Sequence, residues 1–467
     1  MNASLPSEEI DAIAQRLADA NARFQQRYPG GSLERQPVHS VYGGAHLFKA
    51  GGHLRLGSLA LATMDEHAPN FTVFARALGL PGAEALLEQV ADADAPAVQP
   101  STQLAHAVYT RVREKLAREP VEDQRIDFED GYGYRPDAEE DGHAASAAVE
   151  VAAGARKGTL PPFIGIRIKN LGDELRERAL RTTQLFLDRL LKETGGQLPP
   201  NFVVTLPKIT ARAQVSALAD AFDALEAAHD LPAGSLRMEL MVETPYSIFD
   251  DRGAVALPGL IQEGRGRVVA AHFGTYDYTA SLGITAAHQH MRHAVCDFAR
   301  GVMQVALAGH DVWMSDGATN VLPVPLHRAA AGHTLTAAQA TENRSAVHRA
   351  WRHHYDDIRH SLVNGFYQGW DLHPAQLVTR YAAVYAFFLE SLDAASERLL
   401  NFIAKAAQAT LVGEIFDDAA TGQGLLNFFL RAVNCGAVPE QEIGRLTGLT
   451  LDELRSGSFV KIVQGRR

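Results

Sequence analysis

Three carboxylates, Asp127, Glu129 and Asp130, crowd around Phe128 where a short apolar run stops in "RIDFEDGYG". Like charges this close repel one another unless something positive sits among them. Comparable groups recur at the ends of other apolar runs: Arg167 and Lys169 in "FIGIRIKN", Lys208 in "FVVTLPKI", Glu243 in "RMELMVET", Asp277 after "RVVAAHFG", and Asp316 in "DVWMSDG". An isolated charge in a closed interior is expensive, so such groups pair or hold a metal. Glu243 and Asp277 could share one hard cation, Mg2+ or Mn2+. Mg2+ takes oxygen ligands and often only one or two protein carboxylates, with water and substrate completing its shell. Asp127, Glu129 and Asp130 would then accept hydrogen bonds from the ion's waters. Arg167 is suited to grip a substrate carboxylate bidentately. Lys208 would pair with these acids or steady a developing enolate oxygen. A base is needed too. Asp316 is the strand-end candidate, and Asp417 or Asp418 would serve if a helical tail folded over the site. The bland alternative for each residue alone is a solvated turn, a salt-bridge partner or a satisfied core acid. Convergence at strand ends is what favours chemistry.

The elements that must position these groups follow from periodicity. Residues 7–28 predict an amphipathic N-terminal helix, with Ile10, Ile13, Leu17, Ala20 and Phe24 at helical spacing behind a Ser7 cap. After Pro37, short apolar runs alternate with Ala/Leu/Arg-rich helical stretches such as 173–193 and 211–228. The runs are 38–48, 125–130, 163–170, 202–209, 237–244, 267–274, 311–317 and 360–369. Alternating strand and helix implies parallel strands with helical crossovers. Eight such units imply an α/β fold, a closed (β/α)8 TIM barrel, in which catalytic groups come from the C-terminal strand ends. An open doubly wound sheet is the alternative. The connection at 49–124 is long and holds helical pieces, including "AEALLEQVADA". Residues 376–467 read as an entirely helical extension, a cap or an oligomerisation arm, with a break at "DDAATGQG". The expected division is a catalytic barrel with its N-terminal helix at 1–375 and the extension at 376–467.

The 467 residues include 44 Lys+Arg against 55 Asp+Glu, a formal charge of −11. That balance argues against phosphate-backbone binding as a main task. Cys296 and Cys435 stand apart, without zinc or disulfide spacing, which suits a reducing compartment. "MNASLPSEEIDAIAQRL" has no apolar signal core, and no apolar run is long enough to span a membrane. The expectation is a cytoplasmic homo-oligomer that binds a small carboxylate, without nucleic-acid or membrane partners. "HQHMRH" and "WRHHYDDIRH" set histidines at helical spacing but lack the third ligand of known zinc helices, so they read as solvated helix faces.

"DFEDG", "IRIKN", "LPKI", "MVETP" and "GFYQGWDLHPAQL" occur in the order seen in the citrate-lyase β-subunit and 4-hydroxy-2-oxoacid aldolase superfamily. The chain resembles these phosphoenolpyruvate- and pyruvate-binding barrels over about residues 120–380. "FGTYDYTASLG" is similar to the metal-binding segment of malate synthases, which are relatives. The resemblance implies Mg2+ on Glu243 and Asp277. It implies a substrate carboxylate on Arg167 and on backbone donors at Gly274, Thr275 and Tyr276. It places Asp127, Glu129 and Asp130 around metal-bound water, matches Lys208 to a family Pro-Lys, and makes His373-Pro374 a structural turn. Two segments depart from the pattern: "GYGYR" follows the second-strand acids where the family often has "AV", and "GTYDY" replaces "G-x-x-D-L". The implied activity is that of a Mg2+-dependent carbon–carbon lyase or aldolase acting on a small 2-oxo or hydroxy-oxo acid through an enolate. The alternatives are an acyl-CoA lyase or Claisen-type condensing enzyme that takes a CoA thioester, and a non-catalytic metabolite-binding barrel. A thioester enzyme needs a basic groove, for which Lys169, Arg135 and Arg156 are the candidates.

Overall fold

Eight parallel strands close into a barrel in the computed structural model, which describes residues 6–30, 34–86, 100–330, 332–404, 410–412, 415–417, 419–458, 461, 462 and 465. They are β1 (His39–Gly44), β2 (Asp123–Asp127), β3 (Phe163–Arg167), β4 (Phe202–Leu206), β5 (Arg237–Val242), β6 (Val268–Phe273), β7 (Trp313–Ala318) and β8 (Gln368–Asp371), and β8 pairs back on β1. Helix α1 (Ser7–Arg27) precedes them, and α2 (Gly52–His67), α3 (Phe71–Leu78) and α4 (Pro100–Arg118) fill the first connection. The crossovers carry α5 (Asp137–Lys157), α6 (Arg176–Thr194), α7 (Arg212–Ala228), α8 (Pro245–Ile248), α9 (Leu257–Glu263), α10 (Thr275–Ser281), α11 (Ala294–Leu307) and α12 (Ala337–Val363). After β8 come α13 (Pro374–Leu389), α14 (Leu392–Ala404), the hairpin of β9 (Thr410–Val412) and β10 (Ile415–Asp417), α15 (Ala419–Asn434), α16 (Ile443–Thr447) and α17 (Leu451–Arg455).

Strands β3 and β4 are buried at every position. Parallel strands covered on both faces need such near-continuous apolar runs. Two cores result. One lies under α5, α6, α7 and α11, around Phe128, Phe186, Phe222 and Phe273. The other joins α2, α3 and α4 to α12, α13 and the C-terminal helices, around Phe74, Trp351, Tyr381, Phe402 and Phe429. The long connection and the extension therefore share one core. Arg431 in α15 donates to Gln36 Oε1 (2.7 Å), just before β1 begins. This contact lies at the barrel end opposite the strand C-termini.

Several boundaries differ from the sequence reading. The eighth run begins as helix and only its end is strand: α12 continues through Val363, burying Ile358 and Leu362, and the chain turns at Gly365 (φ 79°) before β8 starts at Gln368. A left-handed glycine is the usual way to end a helix. Helix α13 crosses the boundary expected at 375/376. The extension is not entirely helical, because "TLV" and "IFD" pair as a hairpin. The break expected at "DDAATGQG" is absent from α15; Gly422 sits inside the helix where a side chain would strike the Phe402 ring. "AEALLEQVADA" gives a 3-10 turn at Ala83–Ala85 and lies, from residue 87, outside the described residues. "HQHMRH" ends in a cap, not a helix face: His293 accepts from Val295 N–H (3.2 Å) at the start of α11. In "WRHHYDDIRH", His354 and Asp357 are buried, His354 on Thr379 Oγ1 (2.6 Å) and Asp357 on Thr319 Oγ1 (2.7 Å). No described helix is long and apolar enough to cross a membrane.

Candidate active site

A barrel interior is normally filled by branched apolar side chains. Here its middle layer is polar. Arg125 on β2 reaches across to Glu239 on β5 and bonds it twice (2.9 and 2.5 Å), and it also pairs with Asp123. Strands two and five are not neighbours, so this contact crosses the interior. Thr205 donates to Glu239 (2.8 Å), Ser40 to Asp123 (2.5 Å) and Gln368 to Ser40 (3.0 Å).

Above this layer the chain places Arg167. Its Nε and Nη2 grip both oxygens of Asp127 (2.7 and 2.5 Å), the neighbour in the β2–β3 register. Asp127 also accepts N–H bonds from Glu129 (2.9 Å) and Gly131 (2.7 Å), which fold the loop back over the strand end. The first carboxylate of "DFED" is thus spent on Arg167 and on its own loop. The guanidinium lies over the rings of Tyr42 (4.8 Å) and Trp370 (5.8 Å), within cation–π range. Nη1 faces Glu129 at 3.3 Å, so it is this edge, rather than the bidentate fork, that is left towards a ligand.

Lys208 gathers the remaining acids. Its Nζ pairs with Glu129, with Asp130 (3.0 Å) and, at 3.7 Å, with Asp277. Its backbone N–H donates to Glu243 Oε1 (2.7 Å). This double use requires a left-handed backbone, φ 51°, which is uncommon for a residue with a side chain. Glu243 is buried; its desolvation, and then the charge of Asp277, push its carboxyl up to about 8. Burial also raises Glu129, aided by Asp130 and opposed by Arg167 and Lys208.

Five carboxylates, Asp127, Glu129, Asp130, Glu243 and Asp277, thus face two cations, Arg167 and Lys208. A buried acid held mostly protonated near neutral pH and a local excess of negative charge fit a divalent cation. Among the described residues no three His, Cys, Asp or Glu groups are arranged to hold a metal by themselves. The donor set is one in which Glu243 and Asp277 leave most positions to water and substrate oxygens, a habit of Mg2+. Gly274 makes room for this: a Cβ there would lie 2.5 Å from both Cβ and Oε2 of Glu243. Gly274→Ala is therefore expected to displace the carboxylate, weakening cation affinity about tenfold or more and costing roughly 1–3 kcal/mol of stability, measured by cation titration and urea unfolding.

The other expected site residues are placed as follows. Gly274 N–H is spent on Val242 O (3.0 Å), so the open backbone donors belong to the first turn of α10, Thr275 to Asp277. Tyr276 is held by its hydroxyl, which donates to Ala318 O (2.9 Å) and accepts from Asn320 N–H (2.9 Å). Asp316 is not brought to the cluster. It faces the outer helices, bonded to Arg300 of α11 (2.9 Å) and Ser361 of α12 (2.6 Å). No side chain is described for Asp417, and Asp418 lies outside the described residues. Lys169, Arg135 and Arg156 are engaged separately, on Glu140 (2.7 Å), Glu139 (2.5 Å) and Glu193 O (3.0 Å). Sequence reading missed Tyr42, Trp370 and His272. Tyr42 and Trp370 rings lie 4.4 Å apart, and Trp370 Nε1 donates to His272 Nδ1 (3.2 Å), forming one wall of the site. For Tyr42 and Trp370 the signal was an aromatic residue in each of two short strands.

A family model described as "Domain of unknown function (DUF6986)" matches residues 17–462. No curated protein matches the chain. Similar solved structures include a citrate lyase from Burkholderia xenovorans LB400, 17% identical, with 72% of this chain and 91% of that chain covered and a TM-score of 0.49. The protein CitE from Mycobacterium tuberculosis, in complex with magnesium, acetoacetate and coenzyme A, is 17% identical over 70% of this chain and 95% of that chain, with a TM-score of 0.42. The Haloferax volcanii malate synthase magnesium/glyoxylate complex is 14% identical over 92% of this chain and 97% of that chain, with a TM-score of 0.43.

Proposed function

We propose that this chain, which belongs to the DUF6986 family, is a divalent-cation-dependent enzyme that breaks or makes a carbon–carbon bond beside the carbonyl of a small oxo acid. Five carboxylates gathered around two cations, with Glu243 buried among them, carry this reading. A bound Mg2+ or Mn2+ would supply fixed positive charge beside the oxo acid's carboxylate and carbonyl oxygens, on Glu243 and Asp277. Arg167 Nη1 and the first-turn N–H groups of α10 would orient the substrate carboxylate. Tyr42 and Trp370 would shield one side from water. In cleavage of a 4-hydroxy-2-oxo acid, the hydroxyl proton leaves to a base, the C3–C4 bond breaks, and its electron pair becomes the enolate of the oxo acid. A proton then returns to carbon, giving the oxo acid and an aldehyde. The ammonium of Lys208, paired with Glu129 and Asp130, would balance their charge throughout.

A second reading, acyl-CoA cleavage or Claisen-type condensation, is favoured by one observation. A cavity of about 240 Å3 opens beside Tyr42, lined by Leu47, Phe48, Leu56, Leu372 and Leu377. It has the apolar character that an acyl or thioester arm would use. The deciding experiment is turnover of a panel of 4-hydroxy-2-oxo acids and 3-hydroxyacyl-CoA compounds with and without Mg2+. Cation-dependent cleavage of either class is expected; no cation-dependent cleavage of any member would shift the reading to a metabolite-binding barrel.

The raised carboxyl sets a pH signature. Because folding lifts Glu243 from its ordinary 4.5 to about 8, its contribution to the cation-free fold is complete below 4.5 and is lost as pH rises through about 8. Binding a cation must displace that proton. Mg2+ affinity is therefore expected to rise about tenfold per pH unit up to roughly 8 and then level off, measured by calorimetry in buffers of different ionisation enthalpy.

A further inference from the structure

Helix α1 is formed, yet residues 8–27 are exposed along its whole length. Its apolar residues Ile10, Ile13, Leu17 and Phe24 are 51%, 39%, 57% and 62% exposed. Isolated helices of this size are marginal in water, and most gain their stability by burying an apolar face. Among the described residues, the hydrogen bond and ring contact to the barrel come just beyond the helix: Tyr28 meets the ring of His310 edge-on (4.9 Å between centroids), and Gly30 N–H donates to Gly309 O (3.1 Å). The loop from α11 to β7 lies at the N-terminal ends of the strands. Helix α1 therefore leaves the barrel on the face opposite the candidate active site.

The pattern on α1 says what covers it. Ile10, Ile13, Leu17, Ala20 and Phe24 follow one another at alternating steps of three and four. That is the 3.5-residue repeat of a two-stranded coiled-coil seam, narrower than the stripe of a helix lying on a globular core. The charges are divided towards the two ends of the helix, Glu8, Glu9 and Asp11 near its start and Arg23 and Arg27 near its end, with Arg16 and Asp19 about the middle. Laid antiparallel, two copies set Glu9 of each against Arg23 of the other. They also face Ile10 with Ala20 and Ile13 with Leu17, large against small and large against large. Parallel pairing would set Glu9 and Arg23 beside the uncharged Ala14, Asn21 and Tyr28 rather than beside each other, and would bring both barrels onto the same end of the pair.

We propose that α1 is a dimerisation arm that pairs antiparallel with α1 of a second copy of this chain, holding two barrels at opposite ends of a helix pair about 30 Å long. The proposal is independent of the chemistry assigned to the site, which lies on the other face of the barrel.

Sedimentation of the full chain over a range of concentrations tests it. The wild type is expected to associate reversibly. Leu17→Glu places two charges in the seam of each dimer and is expected to weaken association at least ~100-fold, with unchanged thermal unfolding of the barrel. Glu9→Arg and Arg23→Glu, each alone, are expected to weaken it about tenfold, and the double variant to restore it, since the swap re-forms the same pairs. Wild type monomeric at every concentration would overturn the proposal, as would an assembly indifferent to Leu17→Glu. Failure of the double variant to recover would overturn the antiparallel register. Protection of α1 amides from hydrogen exchange in a monomer would show the arm lying on its own barrel, and would overturn it too.

Discussion

Glu243→Gln is expected to lower cation-dependent turnover by ~10^3-fold or more while leaving the cation-free fold as stable as before. Glutamine keeps the shape of the side chain and an oxygen to accept the Lys208 N–H, which lies 2.7 Å from Oε1. It removes only the charge. Burial, and then Asp277, hold this carboxyl up at about 8, so near neutral pH the cation-free protein keeps it mostly protonated. The amide imitates that state, and urea unfolding without cation should move by less than about 0.5 kcal/mol. With cation the two proteins part. Wild type is expected to gain about 2.7 kcal/mol at a cation concentration one hundred times its dissociation constant, and the glutamine variant almost none. A Glu243 that merely satisfied a buried backbone donor would show neither the loss of turnover nor the loss of cation-induced stabilisation. A variant that kept its full cation response would remove Glu243 from the proposed metal pair. Asp277→Asn supplies the complementary test: taking away the neighbouring charge should lower the Glu243 carboxyl from about 8, moving the break in the pH profile of any residual cation binding to lower pH.

What the sequence could and could not say about this site follows from the geometry of strands. The ends of short apolar runs marked Asp127, Arg167, Lys208 and Glu243, and the barrel brings the side chains of these four to one mouth with Glu129, Asp130 and Asp277. Position along a strand is thus readable from where the apolar run stops. The face is harder. Asp316 lies near the end of β7 like the others, but β7 points it between α11 and α12, and the inward place beside it is Gly317, where a side chain would strike Thr275. A one-residue difference in alternation reverses the face, and a short run buried on both sides hides that alternation. Partners across the barrel are harder still. Nothing in "DQRID" and "RMELMV" announces that Arg125 and Glu239 bond, because their strands meet only through the closed interior. The aromatic wall of Tyr42, Trp370 and His272 was invisible for the same reason, drawing on the first, eighth and sixth strands. Within "DFED" the sequence offered three equivalent acids; the structure divides them, Asp127 to Arg167 and its own loop, Glu129 and Asp130 to Lys208.

Arg125→Met is expected to cost about 3–5 kcal/mol of folding stability. Arg125 is the guanidinium that the structure pairs with both Asp123 and Glu239, and all three side chains are buried. Burial opposes ionisation of Glu239, but Arg125, with His272, more than offsets it and holds that carboxyl well below the usual range. Asp123 is raised instead, by burial and by the charge of Glu239, against the pull of Arg125. Methionine fills much of the volume and leaves two acids without a cation, which is far costlier than losing a hydrogen bond. The sign of the pH dependence separates this from a packing defect. A depressed carboxyl such as Glu239 contributes stability above its ordinary 4.5 that is lost only as pH falls through its lower folded value. Without Arg125 that contribution disappears, and both acids can relieve their burial by taking up protons. The deficit between variant and wild type should therefore narrow on acidification from pH about 7 to about 4, whereas a cavity or a clash would give a deficit independent of pH. Adding Asp123→Asn and Glu239→Gln to Arg125→Met should recover much of the loss at neutral pH, since removing all the charges removes the penalty for leaving two unpaired. Urea midpoints at the two pH values decide the matter: a constant deficit, or a triple variant no better than the single one, would mean that Arg125 holds the barrel by packing rather than by charge.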